Sequence, residues 1–315
     1  MEAIRTEGLE KRFGSVRALD GLTLRVEPHT IYGFLGPNGA GKTTTIRLLA
    51  GLARPSGGRA WVAGLEVGRD RRALARCIGY LPEEPAFYPW MTPEEYLDLV
   101  GRIFGLPAGE RRVRTRQLLR RVGLEEVRRR QIGGFSRGMR QRLGLAQALM
   151  NRPQVLFLDE PLSALDPTGR KDVLNLIESL RSECTVFMST HILADVERVC
   201  DTVGIIAKGR MVAEAPQEEL ARRYAVPAFE LECEQGEEET LAAWAAALPL
   251  SIPWVEQTMR NGNTVRVIVR DTTAAKRELP ALAVRSGLTL NRYEMVRPSL
   301  EDIFLRLVGP GGPST

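Results

Sequence analysis

The chain has 315 residues and a net charge of +5, and its content of 43% hydrophobic and 26% charged residues is ordinary for a soluble globular protein of about two domains. Its longest apolar stretch, residues 241–254, is interrupted by two prolines, which excludes a helix that spans a bilayer. The four cysteines lie far apart with no C-x-x-C spacing, which argues against a metal or disulfide framework and favours a reduced, cytosolic protein.

The first informative element is a predicted strand at residues 30–35 that leads into a glycine-rich loop. Residues 36–43 read Gly-Pro-Asn-Gly-Ala-Gly-Lys-Thr and fit the pattern G-x-x-x-x-G-K-[ST]. Glycines permit a tight turn whose N–H groups point at phosphate oxygens, and a helix predicted over residues 42–49 adds its N-terminal partial positive charge. Lys42 is placed near the β- and γ-phosphates, and the Thr43 hydroxyl is placed to bind Mg²⁺. This pattern predicts a nucleoside triphosphate site, with an accidental glycine-rich turn as the alternative.

The basic charge is concentrated further along the chain. Residues 101–150 hold thirteen arginines against three glutamates, so the remainder of the chain is net negative. We interpret this cluster as the solvated face of helices. The alternative, which is more specific, is that the cluster is attracted to anionic lipid of the membrane. The net charge of +5 could suggest a nucleic-acid partner, but such a partner is not expected, because we read the cluster as a solvated helical face and the remainder of the chain is net negative.

A second strand is predicted at residues 155–158, an uninterrupted apolar run typical of a strand buried on both faces of a parallel sheet. Asp159 and Glu160 follow at its end, where ligands sit in open α/β sheets. We expect Asp159 to bind Mg²⁺, directly or through water. Alternation along a strand would point Glu160 the other way, where it could orient or deprotonate the attacking water. The alternative is that both are surface acids at a turn.

A third strand, predicted at residues 185–189, delivers Thr190 and His191 to the same edge of the sheet. An exposed neutral imidazole there can hydrogen-bond the γ-phosphate and the lytic water. A lone histidine is also commonly just a polar side chain at a strand end, and the residues by themselves leave both interpretations open.

These motifs, with residues 135–141 (Phe-Ser-Arg-Gly-Met-Arg-Gln) between them, resemble those of the ATP-binding cassette (ABC) ATPases over about residues 1–220. The resemblance implies an α/β P-loop NTPase cassette with a mixed, mainly parallel core sheet, an antiparallel β subdomain and a helical subdomain at about residues 84–148. It places this ATP-binding domain at residues 1–223. It also implies ATP and Mg²⁺ as cofactors and ATP hydrolysis as the reaction.

The resemblance also implies roles for individual residues. Phe13 holds the position of an aromatic residue that stacks on adenine, with core packing as the alternative. Ser136 and Gly138 match the signature loop, which binds the γ-phosphate held by the opposite subunit, and Arg137 stands where a second glycine is commonest. Asp166 lies in the segment that resembles the D-loop. The P-loop residues expected to contact ATP are Gly36, Pro37, Asn38, Gly39, Ala40, Gly41, Lys42, Thr43 and Thr44.

Glu83 falls at the Q-loop position, where glutamine is usual. A glutamate there can still bind Mg²⁺, but it adds a negative charge beside the phosphates. His191 matches the switch histidine of the family. The implied catalytic residues are therefore Lys42, Glu160 and His191, and the implied metal ligands are Thr43, Glu83 and Asp159.

Beyond a boundary near residue 224 the pattern predicts a second, smaller α+β domain, residues 224–315. Strands are predicted at 228–234, 252–260, 264–270 and 288–295, and helices at 237–248, 273–286 and 300–308. The pair Asn261-Gly262 predicts a tight hairpin. This order is that of a ferredoxin-like unit with one added helix. Regulation, support of a dimer or a purely structural role are the interpretations for this domain.

Residues 298–307 resemble the C-terminal ending of ATPase subunits of ABC-2-type exporters. The resemblance implies an ATP-hydrolysing subunit that closes as a head-to-tail homodimer and powers transport through a separate membrane permease. It implies a cytoplasmic location, peripheral on the inner face of the cell membrane through that permease. The alternative is a soluble ABC ATPase of translation or DNA repair, although such proteins usually carry two cassettes, a zinc insertion or coiled-coil arms.

Overall fold

The chain divides into two compact units, Met1–Gln217 and Glu218–Thr315. The computed structural model describes residues 2–163, 165–223, 227–296 and 300–308. The division of the chain falls six residues before the predicted domain boundary. Residues 224–226 at that boundary lie outside the described residues. The same holds for Ala164 of the D-loop segment and residues 298–299 of the exporter-like segment. The predicted boundary at 223 and 224 therefore stays a prediction.

The first unit alternates strands and helices. Its strands are β1 (Ile4–Phe13), β2 (Val16–Val26), β3 (Ile31–Leu35), β4 (Gly57–Val62), β5 (Leu65–Glu66), β6 (Ile78–Leu81), β7 (Val155–Asp159), β8 (Thr185–Thr190), β9 (Thr202–Ala207) and β10 (Arg210–Pro216). Its helices are α1 (Lys42–Leu49), α2 (Arg71–Cys77), α3 (Pro93–Ile103), α4 (Ala108–Arg121), α5 (Arg137–Ala148), α6 (Pro167–Ser179) and α7 (Leu193–Val199). A further helix, α8 (Gln217–Arg223), begins at the last residue of this unit.

A six-stranded sheet forms the centre of the first unit, in the order β10-β9-β3-β8-β7-β6. Neighbouring strands run parallel from β9 to β6, and β10 pairs antiparallel with β9, so the predicted mixed, mainly parallel sheet is confirmed. Every residue of β3, β7 and β8 is buried, as the apolar runs predict. Because parallel strands end at one edge, the segments after β3, β7 and β8 are brought together there.

A second, antiparallel sheet has the order β2-β1-β4-β5. Its inward side chains and those of α1 form one buried apolar cluster that includes Leu22, Ile46 and Val62. The helical subdomain consists of α3, α4 and α5. Helix α3 begins with a capping box between Thr92 and Glu95, which satisfies N–H groups at its start. Each element predicted from the cassette resemblance is therefore present in the first unit.

The second unit is a four-stranded antiparallel sheet accompanied by helices. Its strands are β11 (Ala228–Cys233), β12 (Val255–Asn261), β13 (Thr264–Val269) and β14 (Leu290–Val296), and its helices are α9 (Glu238–Ser251), α10 (Thr272–Arg285) and α11 (Leu300–Val308). The sheet order β12-β13-β11-β14 is that of the predicted ferredoxin-like unit. The hairpin from β12 to β13 is also confirmed, and Gly262 has a left-handed φ of 61° in its turn.

The predicted end of the first helix in this unit is wrong. Helix α9 continues through Pro249 to Ser251, and β12 begins only at Val255. A proline inside a helix leaves the carbonyl four residues earlier without its donor. Here the Thr258 hydroxyl donates to that carbonyl, Ala245 O, at 2.8 Å. A side chain of the next strand thus compensates the proline, which a local sequence pattern does not predict.

No helix within the described parts of the chain is both long and apolar enough to cross a membrane.

Candidate functional site

The P-loop joins β3 to α1 at the carboxyl edge of the central sheet, and close neighbours explain two of its glycines. A Cβ atom on Gly36 would lie 2.4 Å from the carbonyl oxygen of Ile206 on β9. Gly41 has a φ of 112°, and a Cβ atom there would lie 2.8 Å from the carbonyl oxygen of Ala18. Backbone on both sides therefore leaves no room for a side chain. The exposed tip of the loop consists of Pro37, Asn38 and Gly39.

Lys42 is the first residue of α1 and is buried beneath this loop. Its Nζ donates to the carbonyl oxygens of Gly36 at 2.7 Å and Pro37 at 3.4 Å. Within the described residues no side chain caps the start of α1, and its first turn contains no acid. The N–H groups of this turn and the lysine together form a positively charged cradle that fits a phosphate group.

Thr43 and Asp159 are brought together beside this cradle. Asp159, at the end of β7, is almost completely buried. Its Oδ1 accepts hydrogen bonds from the Thr43 hydroxyl at 3.1 Å and from the Ser189 hydroxyl at 2.7 Å. A hydroxyl and a carboxylate next to a phosphate cradle are the oxygen donors that Mg²⁺ prefers, so these residues fit that ion. Sequence reasoning missed Ser189, whose only signal is a polar residue at the end of an apolar strand.

Glu160 lies directly after β7 and is connected to two of the expected catalytic residues. Its Oε1 is 3.5 Å from Lys42 Nζ, and its Oε2 is 2.9 Å from Nδ1 of His191. Glu160 is 8% exposed, so it is not a surface acid, and the imidazole of His191 is half exposed. The structure therefore joins Lys42, Glu160 and His191 in one group.

Strand alternation does not set the direction of the Glu160 side chain, so that prediction is wrong. Strand β7 ends at Asp159, and Glu160 has a left-handed φ of 47°, so strand alternation does not apply to it. Its N–H donates to Ser189 O at 3.2 Å and to Ser189 Oγ at 3.1 Å. The turn held by Ser189 sets the direction of the carboxylate.

Phe13 is exposed at the end of β1, next to the tight turn into β2. With 55% of its surface accessible it is not a core residue, which removes the packing alternative. Strand β2 passes the P-loop at Ala18, two residues after Val16, the strand partner of Phe13. Lys11 Nζ lies 4.9 Å from the centre of the Phe13 ring. An exposed ring on this hairpin is available for stacking against a base.

Three of the residues expected to contact ATP lie apart from the group around Lys42, namely Ser136, Gly138 and Asp166. Ser136 caps α5 and accepts from Met139 N at 3.2 Å, and Asp166 caps α6 and accepts from Gly169 N at 3.1 Å. Among the described residues, none of the three shares a hydrogen bond with the P-loop of the same chain. They are not joined to the group around Lys42.

Glu83 is exposed two residues after β6 and lines a cavity of about 320 Å³. The other lining residues are Glu84, Pro85, Arg137, Arg140 and Gln141. Arg137 forms an ion pair with Glu84 at 3.5 Å. In the described part of the chain no hydrogen bond or ion pair connects Glu83 with Asp159. The two departures from the family pattern, Glu83 and Arg137, thus face the same cavity.

An ion pair missed by sequence reasoning joins the two helices that follow Asp166 and His191. Arg170 on α6 donates from Nε to Asp195 Oδ1 at 2.7 Å, and its Nη2 lies 2.7 Å from Oδ2. Asp195 is almost completely buried on α7. Burial raises the pKa of its carboxyl group, and the guanidinium of Arg170 opposes that rise. Two elements beside the site are thereby held together.

Comparison with known proteins agrees with this geometry. Residues 19–163 match the ABC transporter family, and residues 216–308 match the family described as the C-terminal domain of DrrA1-3-like ATP-binding proteins. The uncharacterized ABC transporter ATP-binding protein YxlF of Bacillus subtilis is 39% identical over 96% of this chain and 98% of its own. The chain therefore belongs to the ABC transporter ATP-binding proteins, which hydrolyse ATP.

Its second unit assigns the chain to a particular group within this family. The daunorubicin resistance ATP-binding protein DrrA3 of Streptomyces coeruleorubidus is 36% identical over 98% of this chain and 96% of its own. A solved ATP-binding subunit of an ABC transporter, 30% identical, superposes with a TM-score of 0.66 over 70% of this chain and 93% of its own. Both units together place the chain in the group of ABC-2-type exporter ATPases.

Proposed function

We propose that this chain powers export through a separate membrane permease, and that two copies close head to tail over two shared ATP molecules. The observation that carries the proposal is the connected group of Lys42, Glu160 and His191 beside Thr43 and Asp159 at one sheet edge. This group has a phosphate cradle, oxygen donors for a metal and a carboxylate that can act on water. It is a site for phosphoryl transfer to water.

Each residue has a distinct role in this proposal. Lys42 and the N–H groups of α1 hold the β- and γ-phosphates, and Phe13 stacks on the adenine ring. Thr43 and Asp159 hold Mg²⁺, which when bound neutralises phosphate charge. The role of Glu83 as a third ligand rests on the family resemblance. Glu160 orients and deprotonates the attacking water, and His191 holds the carboxylate by its hydrogen bond.

The homodimer accounts for the residues that are separate from this group. Ser136 and Gly138 stand at the start of α5, whose N-terminal N–H groups suit a phosphate. Because neither is bonded to the P-loop of its own chain, we assign them to the γ-phosphate bound by the second copy. Asp166 would lie at the same junction. A two-fold arrangement then makes two equivalent sites.

Export, and the peripheral location that it entails, are supported by the names of the relatives. The relative from Streptomyces coeruleorubidus is a daunorubicin resistance protein, and a 36% identical relative from Bacillus licheniformis is a bacitracin transport ATP-binding protein. We infer that the permease provides the membrane span and selects the cargo, so this chain does not determine which compound is moved.

The test is size-exclusion chromatography with light scattering on Glu160→Gln. We expect a dimer with ATP in the absence of Mg²⁺ and a monomer with ADP, because the amide keeps the shape of the side chain but cannot accept the proton of water. Turnover should fall by about 10²- to 10⁴-fold. The exposed Glu27, which lies before β3 at the opposite edge, gives the control Glu27→Gln with parental turnover. A monomer with both nucleotides would contradict ATP-driven closure by this chain alone.

A further inference from the structure

Ser189 makes an unusual set of contacts between two residues of the proposed site. It is completely buried on β8, and the register of the sheet pairs it with Asp159 on β7. Its hydroxyl donates to Asp159 Oδ1 at 2.7 Å and accepts from the N–H of Glu160 at 3.1 Å. One side chain thus holds both the expected metal ligand and the backbone of the expected base.

The single proton of a hydroxyl makes this arrangement directional. Because the Ser189 proton points at the carboxylate of Asp159, a lone pair of Oγ is left for the N–H of Glu160. Asp159 Oδ1 is bound by two hydroxyls, those of Ser189 and Thr43, whereas Oδ2 accepts no hydrogen bond among the described residues. The carboxylate is therefore fixed in rotation, with one oxygen still available as a ligand.

The turn at Glu160 needs such support. A left-handed φ of 47° is unfavourable for a residue with a Cβ atom and persists only where neighbouring contacts hold it. Ser189 supplies both acceptors of the Glu160 N–H, its carbonyl oxygen and its hydroxyl. Loss of the hydroxyl would leave one of these acceptors and would leave Asp159 with Thr43 alone.

We propose that Ser189 is a positioning residue that fixes the metal-binding carboxylate of Asp159 and the turn carrying Glu160 as one unit. The inference rests on the proposed function, in which Asp159 binds a divalent cation beside the nucleotide. In this proposal Ser189 is not itself a metal ligand, because its hydroxyl is engaged by Asp159 Oδ1 and the N–H of Glu160. It acts by orienting the carboxylate, as outer-shell partners of metal ligands commonly do.

The test compares Ser189→Ala with a matched variant on the same strand, Thr185→Val. Thr185 is also buried, at the other end of β8, and its hydroxyl accepts from His29 N at 2.9 Å. Each variant removes one buried hydroxyl, so both should lose comparable stability. Only Ser189→Ala removes a contact to Asp159, so only this variant should alter metal binding.

The principal readout is binding of Mn²⁺ to the ADP complex, followed by electron paramagnetic resonance, with a fluorescent ATP analogue measured separately without metal. For Ser189→Ala we expect Mn²⁺ affinity about tenfold weaker, within the range of about 10- to 100-fold for outer-shell partners. Affinity for the analogue should stay parental, and Ser189→Thr should recover Mn²⁺ binding. For Thr185→Val, both affinities should stay parental.

The proposal is overturned if Ser189→Ala binds Mn²⁺ like the parent while its melting temperature falls as in Thr185→Val. That result would mean that the hydrogen bonds of Ser189 stabilise the fold but do not affect metal binding. A parent that binds the analogue but shows no nucleotide-dependent Mn²⁺ binding would overturn both this inference and the assignment of Asp159. These outcomes are distinguishable, because the second is seen without any substitution.

Discussion

Replacement of Gly36 by alanine tests whether the backbone around the P-loop leaves room for a side chain. The added Cβ atom would lie 2.4 Å from the carbonyl oxygen of Ile206, where ordinary contact begins at 3.4 Å. Ile206 belongs to β9, which is hydrogen-bonded to β3 on one side and β10 on the other. Since that strand cannot give way alone, the loop has to move by about 1 Å to regain ordinary contact.

This displacement should lower both the stability of the protein and its rate of catalysis. Overpacking of this kind costs about 1–3 kcal/mol, and about 2 kcal/mol would lower the melting temperature of a unit of this size by about 4–8 °C. Gly36 O accepts the hydrogen bond of Lys42 Nζ, so movement of the loop also moves the lysine. A misplacement of about 1 Å can reduce catalysis about 100-fold. We expect both effects in Gly36→Ala.

The assay combines thermal unfolding with titration of a fluorescent ATP analogue and steady-state phosphate release. Gly109→Ala is the matched control, because Gly109 lies in α4 with no atom within 4 Å of the added Cβ. It should keep parental ATP binding and gain up to about 1 kcal/mol of helix stability. Parental stability and turnover in Gly36→Ala would refute the steric reasoning.

Three further predictions concern single side chains. Lys42→Ala should weaken ATP binding and turnover together, with binding weaker by about tenfold or more because a charge-assisted hydrogen bond is lost. The control Lys171→Ala, at an exposed position, should change neither in the same titration. Loss of turnover with parental ATP binding would contradict this prediction. Phe13→Ala should weaken binding of the ATP analogue by about tenfold without lowering the melting temperature, and Phe13→Tyr should retain binding; equal affinity in all three proteins would exclude stacking. The pKa of Asp195 is raised in the folded protein, so the folded protein keeps this proton to a higher pH than the unfolded chain does. The free energy of unfolding of the parent therefore falls as pH rises through that pKa. Asp195→Asn should lack this loss in urea unfolding from about pH 4 to about pH 7, and identical slopes in both proteins would show that another group titrates.

Much of the site could be predicted because its signals are local. The apolar run of β7 and the glycine-rich loop each identify a segment, and parallel topology then requires that their ends share an edge. Ser189 could not be predicted, since its contact to Asp159 depends on the pairing register of β7 with β8. A shift by one residue would turn the hydroxyl to the opposite face.

The remaining discrepancies have similar physical causes. The left-handed turn at Glu160 is held by partners 29 residues further along the chain, so its own sequence gives no sign of it. The continuation of α9 past Pro249 depends on the Thr258 hydroxyl from the following strand. In both places tertiary contacts overrule a local preference, which no pattern within one element reports.

The order of the central sheet also determines when the nucleotide site can exist during synthesis. Strand β3, which carries the P-loop, lies between β8 and β9, and β8 begins 150 residues after β3 ends. The P-loop sequence therefore leaves the ribosome long before either neighbour of its strand has been made. A nascent chain that ends before residue 185 contains the motif, but the edge that gives the motif its shape has still to be synthesised.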